Sequence, residues 1–429
     1  MAARFAPTVL LLADTQSYRL DDFLAAAARL GVDVIVGSNR CHVLAGLFDE
    51  QFLIVDFDRP REATERIRDF TRGRRVDAVV PAGDRMAVVA AMAAEALGLP
   101  HNPAEAAAAA ANKRLMREAL ARAGVRAPAH CAFALDEPAE AVARAVSFPC
   151  VLKPLRLSAS RGVIRADDAA SFARAHARLA ALLRTPEIRI AKDSEDERIL
   201  VEEYVPGAEI AVEGLLDRGA LRVLAIFDKP DPLEGPYFEE TIYVTPSRLP
   251  RAAQDEVAAA TAAAARALGL VTGPVHAELR VNKRGAWVIE VAARSIGGLC
   301  ARSLRFGLGM SLEELILRHA LGEPVGAIER ESAASGVMMV PIPRAGILRD
   351  VRGVEEARRV RGIAEVTIDV KPGETLVPLP EGARYLGFLF ARGAAPADVE
   401  AALRRAHAAL SFEIAPGVRA GGGHPATAL

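Results

Sequence analysis

The stretch Pro274–Arg294, PVHAELRVNKRGAWVIEVAAR, decides how this chain is read. Two alternating runs flank Lys283-Arg284-Gly285, whose glycine suits the left-handed position of a three-residue hairpin loop. That loop pairs Asn282 with Ala286 and sets Glu278 directly opposite Glu290. Side chains alternate between the faces of a strand. One face then carries Val275, Ala277, Leu279, Val281, Trp287, Ile289, Val291 and Ala293 and belongs on a core. The other carries His276, Glu278, Arg280, Val288, Glu290, Ala292 and Arg294. Carboxylates directly across a hairpin lie ~5 Å apart and repel. A Mg²⁺ ion offsets that repulsion, since it takes one or two carboxylates together with waters and substrate phosphates. Neutralisation by Arg280 and Arg294 in a salt-bridged surface sheet does so equally. On the hairpin alone both readings stand. Arg294, followed by Ser295-Ile296-Gly297-Gly298, favours the first. A planar cation at a strand end, beside backbone free of bulky side chains, suits recognition of a carboxylate or phosphoryl group.

The rest of the chain sets bounds. It has 429 residues, of which 51% are hydrophobic and 25% charged, with a formal net charge of −1. Length of this order accommodates two to four units at ~100–200 residues each. With no basic stripe, neither a nucleic acid nor a membrane surface is an expected partner. The early apolar run TVLLLA is short and reads as a strand, not a signal segment. No run reaches the ~18 apolar residues of a membrane span. Cys41, Cys131, Cys150 and Cys300 show neither pairing nor zinc-like spacing, so reduced thiols in a cytoplasmic protein are expected. Lysine occurs only at Lys113, Lys153, Lys192, Lys229, Lys283 and Lys371; all other basic residues are arginine. A lysine kept in such a chain marks a place that needs a compact ammonium, as beside a phosphate. Lys192, Lys283 and Lys371 read instead as solvated.

Alternating strands and helices up to His101 predict a parallel sheet covered on its faces. AEAAAAAANKRLMREALARAG predicts one strong helix ending at Gly124. From Val125 short strands follow: FPCVLKPL, GVIRA, RILVEEYV, EIAVEGLL and LRVLAIF. A long helix is predicted over Ala252–Leu268 and another over Ser311–Leu321. Past Ser332, strands and the helix ADVEAALRRAHAAL form a small α+β unit, and the end frays. Asp228 and Lys229, in FDKP, read as a loop salt bridge.

In order, these residues resemble the ATP-grasp superfamily, specifically its carboxylate–amine ligases, over roughly residues 5–325. The last unit resembles the extra domain of the L-amino acid ligase branch. The resemblance implies an α/β and α+β chain: an N-terminal Rossmann-like domain (1–108), an ATP-grasp domain (109–328, with a lid at about 125–204), a C-terminal domain (329–415) and a flexible tail (416–429). It implies ATP as co-substrate and one or two Mg²⁺, with Mn²⁺ as a substitute. Lys113 and Lys153 would grip the phosphates. The loop Leu157–Val163, LSASRGV, would fold over them through Ser158, Ser160, Arg161 and Gly162, with one glycine where relatives often have two or three. Glu202, Tyr204, Val205 and Glu209, in ILVEEYVPGAEIAVEG, would hold adenine and ribose. Glu278 and Glu290 fall on the metal ligands. Arg294 falls on the arginine for the phosphoryl group and the acceptor carboxylate. YFEETIYVTPS would bring Glu240 to the substrate ammonium and Tyr243 to the pocket, with Ser295, Gly297 and Gly298 leaving a roomy acceptor site. Many family members carry asparagine at the place of Ala292, but the amino-acid ligase branch also resembles EVAAR.

The implied reaction joins a carboxylate and an amine, both expected to be amino acids, through an acyl phosphate. Such chemistry needs positioning and charge neutralisation more than a nucleophile. His276 is assigned to the reacting centre, either as proton acceptor for the amine or as the residue orienting Glu278. Alternatives are the same fold in purine synthesis or biotin carboxylation, and a non-catalytic nucleotide-binding regulator. A homodimer is implied by resemblance alone.

Overall fold

The computed structural model describes residues 6–15, 17–39, 51–189 and 197–417. Cys41, Lys192 and residues 418–429 of the expected tail lie outside them. The chain opens with β1 (Thr8–Leu12), α1 (Leu20–Leu30), β2 (Asp33–Ser38), β3 (Phe52–Ile54), α2 (Pro60–Phe70), β4 (Ala78–Pro81) and α3 (Asp84–Ala96). These build a parallel sheet in the order β3-β2-β1-β4. β1, TVLLL, is nearly all buried, as a parallel strand covered on both faces must be.

The single helix expected over 104–124 is two, α4 (Ala104–Ala111) and α5 (Lys113–Arg122). Asn112 separates them in an extended conformation and caps α5, its side chain accepting from the N–H groups of Arg114 and Leu115. An asparagine that offers the backbone an alternative partner is a start signal that outweighs eight residues of alanine-rich helix.

Next come β5 (His130–Ala134), α6 (Ala139–Ala145), β6 (Cys150–Pro154), β7 (Ile164–Ala166), α7 (Ala169–Leu183), α8 (Pro186–Arg189) and β8 (Arg198–Glu203). The strands form an antiparallel sheet ordered β5-β8-β6-β7. The run of strands expected from Val125 omitted α7. Asp168 and Ser171 form a capping box at its start, and Phe172, Ala175, Leu179 and Leu183 face the sheet.

Then follow β9 (Ala208–Asp217), β10 (Ala220–Asp228), β11 (Ile242–Thr245), α9 (Arg251–Leu268), β12 (Gly273–Asn282), β13 (Gly285–Ala292) and α10 (Leu312–Ala320). The last unit contains β14 (Ala334–Val340), β15 (Gly346–Arg352), α11 (Val354–Arg358), β16 (Ile363–Ile368), β17 (Thr375–Leu376), β18 (Gly387–Gly393), α12 (Pro396–Ala409) and β19 (Ser411–Ala415). β11 pairs antiparallel with β14, so one eight-stranded sheet runs β13-β12-β9-β10-β11-β14-β18-β16 through both units. One apolar cluster joins β1 and β4 to β9, β10, α10, β14 and β18. The buried pair Arg19–Glu313, 3.2 Å apart, ties the first unit to α10. The site is thus set by three packed units. Among the described residues no helix is long and apolar enough to cross a membrane.

Candidate active site

The decisive hairpin differs from expectation in two ways. Asn282 pairs with Gly285, so the turn is Lys283-Arg284, and a bulge lies beside Glu278. The shorter turn shifts the register by one residue, and Ile289, extra on β13, shifts it back. Glu278 therefore still faces Glu290. Between turn and bulge the faces are exchanged: Val288 pairs with Leu279 in the core, and Trp287 pairs with Arg280. A bulge residue is left out of the ladder, and the Ile289 carbonyl instead accepts from Arg117 at 2.5 Å.

Arg117 is the hub of one end of the candidate site. It is fully buried on α5, and its Nε lies 2.7 Å from Glu202 of β8. Lys153 of β6 reaches the other Glu202 oxygen at 2.6 Å. Burial pushes the Glu202 carboxyl up, but the two cations more than offset it and hold its pKa at about 2. Lys113, at the start of α5, donates to the Leu157 carbonyl at 2.8 Å and sits 3.3 Å from Glu290. Asp84, Lys113, Arg156, Leu157, Ser158 and Glu290 line one cleft. Past Glu202, the Val205 carbonyl accepts from Arg280, and the Tyr204 ring lies beneath the Arg165 guanidinium, 4.0 Å away.

The acid cluster holds a residue that the sequence reading placed elsewhere. Asp228 does not pair with Lys229; it binds Ser247 and Arg248. The Lys229 side chain, 3% exposed, enters the site and lies 2.9 Å from Glu209, 3.5 Å from Glu278 and in contact with Glu240. One carboxylate oxygen from each of these three acids lies within 4.8 Å of the others. Glu209 also accepts from Arg280, and Glu240 from the Tyr243 hydroxyl at 2.8 Å. Burial and the Glu278 charge push Glu240 up to about 7. Burial also acts to raise Glu278, but the Lys229 ammonium and His276 hold it well below the usual carboxylate range. His276 stands between Glu213, at 3.1 Å, and Glu278, at 3.7 Å. Burial alone would lower its pKa; these two acids raise it.

At the far end Arg294 binds Asp84, 2.9 Å away at the start of α3, and the Ser295 carbonyl. Ser295 is buried, Gly297 has open space where a Cβ would stand, and Gly298 has φ +58° against the Phe388 ring. In the loop after β6, Ala159 and Ser160 adopt φ values of 55° and 54°. Non-glycine residues adopt this region at a cost, and here they supply the loop's curvature. The expected phosphate donors divide. Ser158 faces the cleft, whereas Gly162 N–H donates to Pro380 and Arg161 to the Glu381 carbonyl and Glu187.

Sequence reasoning thus missed Arg117, Asp84, Glu213 and Lys229. Lys229 carried a signal, being one of six lysines and preceding the acidic segment. The others are ordinary residues of a helix interior, a helix start and a strand.

The geometry agrees with what the chain is similar to. Residues 146–303 match the ATP-grasp domain family, 24–101 the ATP-grasp N-terminal domain and 338–415 the L-amino acid ligase C-terminal domain 2. The crystal structure of L-amino acid ligase from Bacillus licheniformis superposes with a TM-score of 0.81 at 25% identity, covering 95% of this chain and 99% of that one. Alanine–anticapsin ligase of Bacillus subtilis is 29% identical over 61% of this chain and 58% of its own length. Carnosine synthase 1 of Gallus gallus is 30% identical over 78% of this chain and 38% of its own. The chain spans about three fifths of the length of the first curated relatives it matches.

Proposed function

We propose a function from one premise: this chain belongs to the ATP-grasp superfamily, in its L-amino acid ligase-like branch. The reading is an ATP-dependent ligase that joins the carboxylate of one amino acid to the amine of another, in a dipeptide-type bond. The observation that carries it is Glu278 facing Glu290, with Lys113 beside Glu290, Lys229 beside Glu278 and Arg294 just past the end of the same hairpin. A carboxylate of the first substrate attacks the γ-phosphorus of ATP, giving an acyl phosphate and ADP. The amine of the second attacks the acyl carbon and expels phosphate.

The donor set fits Mg²⁺, with Glu278 and Glu290 as its protein ligands and oxygens only. When bound, the metal neutralises charge on the phosphates. Lys113 and Lys153 serve the phosphates, with Ser158 and the left-handed residues of the loop. Glu202 fixes Lys153 and Arg117, in addition to its assigned role at adenine. Tyr204, Val205 and Glu209 complete the nucleotide side. Arg294 takes the acceptor carboxylate or the transferring phosphoryl, with Asp84 setting its pose. Glu240 and Tyr243 meet the substrate ammonium. His276, flanked by two acids, orients Glu278; that flanking supports this role over proton acceptance. The division into units near residues 108 and 328, a cytoplasmic setting and a homodimer belong to the same proposal.

Phosphate release from Mg·ATP across a matrix of paired amino acids, with mass spectrometry of each hit, tests the reading. Release that needs both partners and yields an amide supports it. Tight nucleotide binding with no amide from any pair overturns it.

A further inference from the structure

The third unit reaches into the phosphate end through one loop. Gly162 N–H donates to the Pro380 carbonyl at 2.8 Å, and Arg161 Nε donates to the Glu381 carbonyl at 2.7 Å. The Glu381 carboxylate meets Arg178 of α7 through both oxygens, one at 2.8 Å from Nη2. The loop has its own closure, Gly382 N–H donating to Pro378 at 2.8 Å; a Cβ on Gly382 would lie 1.8 Å from the Val377 carbonyl. Thus the β6–β7 loop and the helix behind it are both fastened to residues 380–381. The same segment continues to Tyr385 and Phe388. Phe388 stacks edge-on with Tyr385, ring centroids 6.1 Å apart, and abuts Gly298 at the acceptor end. Few residues of chain therefore connect the phosphate loop with the acceptor pocket.

We infer that Glu381 is a positioning residue: with Pro380 it latches the phosphate loop and α7 to the third unit, and so holds the site shut around the acyl phosphate. This rests on the ligase reading. An acyl phosphate exposed to water is lost when water attacks its acyl carbon or phosphorus, regenerating the carboxylate and releasing phosphate without an amide. A loop hydrogen-bonded to two backbone carbonyls, with the helix behind it held by an ion pair, excludes that water. The latch differs from the residues that touch nucleotide or substrate, since Glu381 acts through Arg161 and Arg178, and Pro380 through Gly162.

The test uses the full chain with Glu381→Ala, Arg178→Ala and the exchanged pair Arg178→Glu/Glu381→Arg. These side chains are partly exposed, 35% for Glu381 and 42% for Arg178, so the variants are expected to fold. Amide hydrogen exchange of residues 157–163 should speed up by ~10-fold in each alanine variant, without change in β9, and return toward wild type in the exchanged pair. Phosphate released per amide formed should rise ~10-fold in the alanine variants and fall again in the exchanged pair. Wild-type exchange of the loop in both alanine variants, at an unchanged thermal midpoint, overturns the latch. Faster exchange with an unchanged phosphate-to-amide ratio overturns its role in shielding the intermediate. If the wild-type protein joins no pair, the ligase reading fails, and the exchange data alone decide the latch.

Discussion

Glu278 faces Glu290 across the β12–β13 hairpin only because a bulge at Ile289 compensates a two-residue turn. Continued unbroken, the turn's register would set Glu278 against Ile289 and send Glu290 to the core face. The bulge restores parity before the acids and frees a carbonyl that Arg117 takes. A device that re-aims a side chain next to a site is a common use of a bulge.

Replacing one acid of that pair should remove ligation while leaving the fold intact. Glu290, with its side chain 32% exposed, has Lys113 as its nearest partner. Glu290→Gln is expected to lower kcat by ~10²-fold or more, by analogy with a lost electrostatic contact to the transition state. Steady-state kinetics, with circular dichroism to verify folding, check this. Near-normal kcat would remove Glu290 from the proposed metal site.

Lys229 neutralises three acids at once. Lys229→Met leaves Glu209, Glu240 and Glu278 crowded and largely screened from water, and breaking such a pairing costs up to ~3–5 kcal/mol. The thermal midpoint should drop, and millimolar Mg²⁺ should restore part of it, because a divalent ion suits an all-oxygen cluster. A midpoint that neither drops nor responds to Mg²⁺ would show that the amine is a bystander.

Glu202 predicts acid sensitivity. Its folded-state pKa, about 2, lies below the ordinary 4.5. The ionised group therefore contributes stability that is complete above the unfolded pKa and is lost as pH falls from 4.5 toward 2. The size is roughly 3 kcal/mol, at about 1.4 kcal/mol per unit. Denaturant unfolding at stepped pH should show a shallower acid slope for Glu202→Gln. That variant should also be less stable at neutral pH, with Arg117 and Lys153 left unpaired. An identical slope in both proteins would count against the ion-pair hub.

The proposed acceptor pocket is best probed at Gly297. A Cβ there meets nothing within 4 Å, whereas at Gly298 a Cβ meets Phe388 at 3.1 Å with a left-handed backbone. Gly297→Trp should fold normally and raise KM at least ~10-fold for bulky acceptors, a few methylenes' worth of steric discrimination, while sparing small ones. Gly298→Trp should instead lower the thermal midpoint. An unchanged acceptor range for Gly297→Trp would place the pocket elsewhere.

Much of the site was legible because its chemistry sits on regular strands. Alternation put Glu278 and Glu290 on one face, and two errors, in the turn and in the ladder, cancelled before the acids. They did not cancel for Trp287 and Val288, whose faces were read the wrong way round. Lysine scarcity pointed to Lys113 and Lys153, yet Lys229 was left in a loop. Its partners are 20 and 49 residues away in sequence for Glu209 and Glu278, and only tertiary folding unites them. Arg117 and Asp84 look like any helix arginine and any helix-start aspartate. The α4–α5 break was missed because helix propensity outvoted one capping asparagine. The contacts of Arg161 and Gly162 with Pro380 and Glu381 join residues ~220 apart, beyond the reach of any local pattern.

The pairing of β11 with β14 has a practical consequence. β11 carries Tyr243, and its outer edge is satisfied wholly by the third unit. A protein shortened before β14 would bare that edge, an invitation to stick to another chain. Chimaeras that graft a foreign tail onto this body should therefore be cut ahead of Ile242, so that both strands of the seam come from one parent.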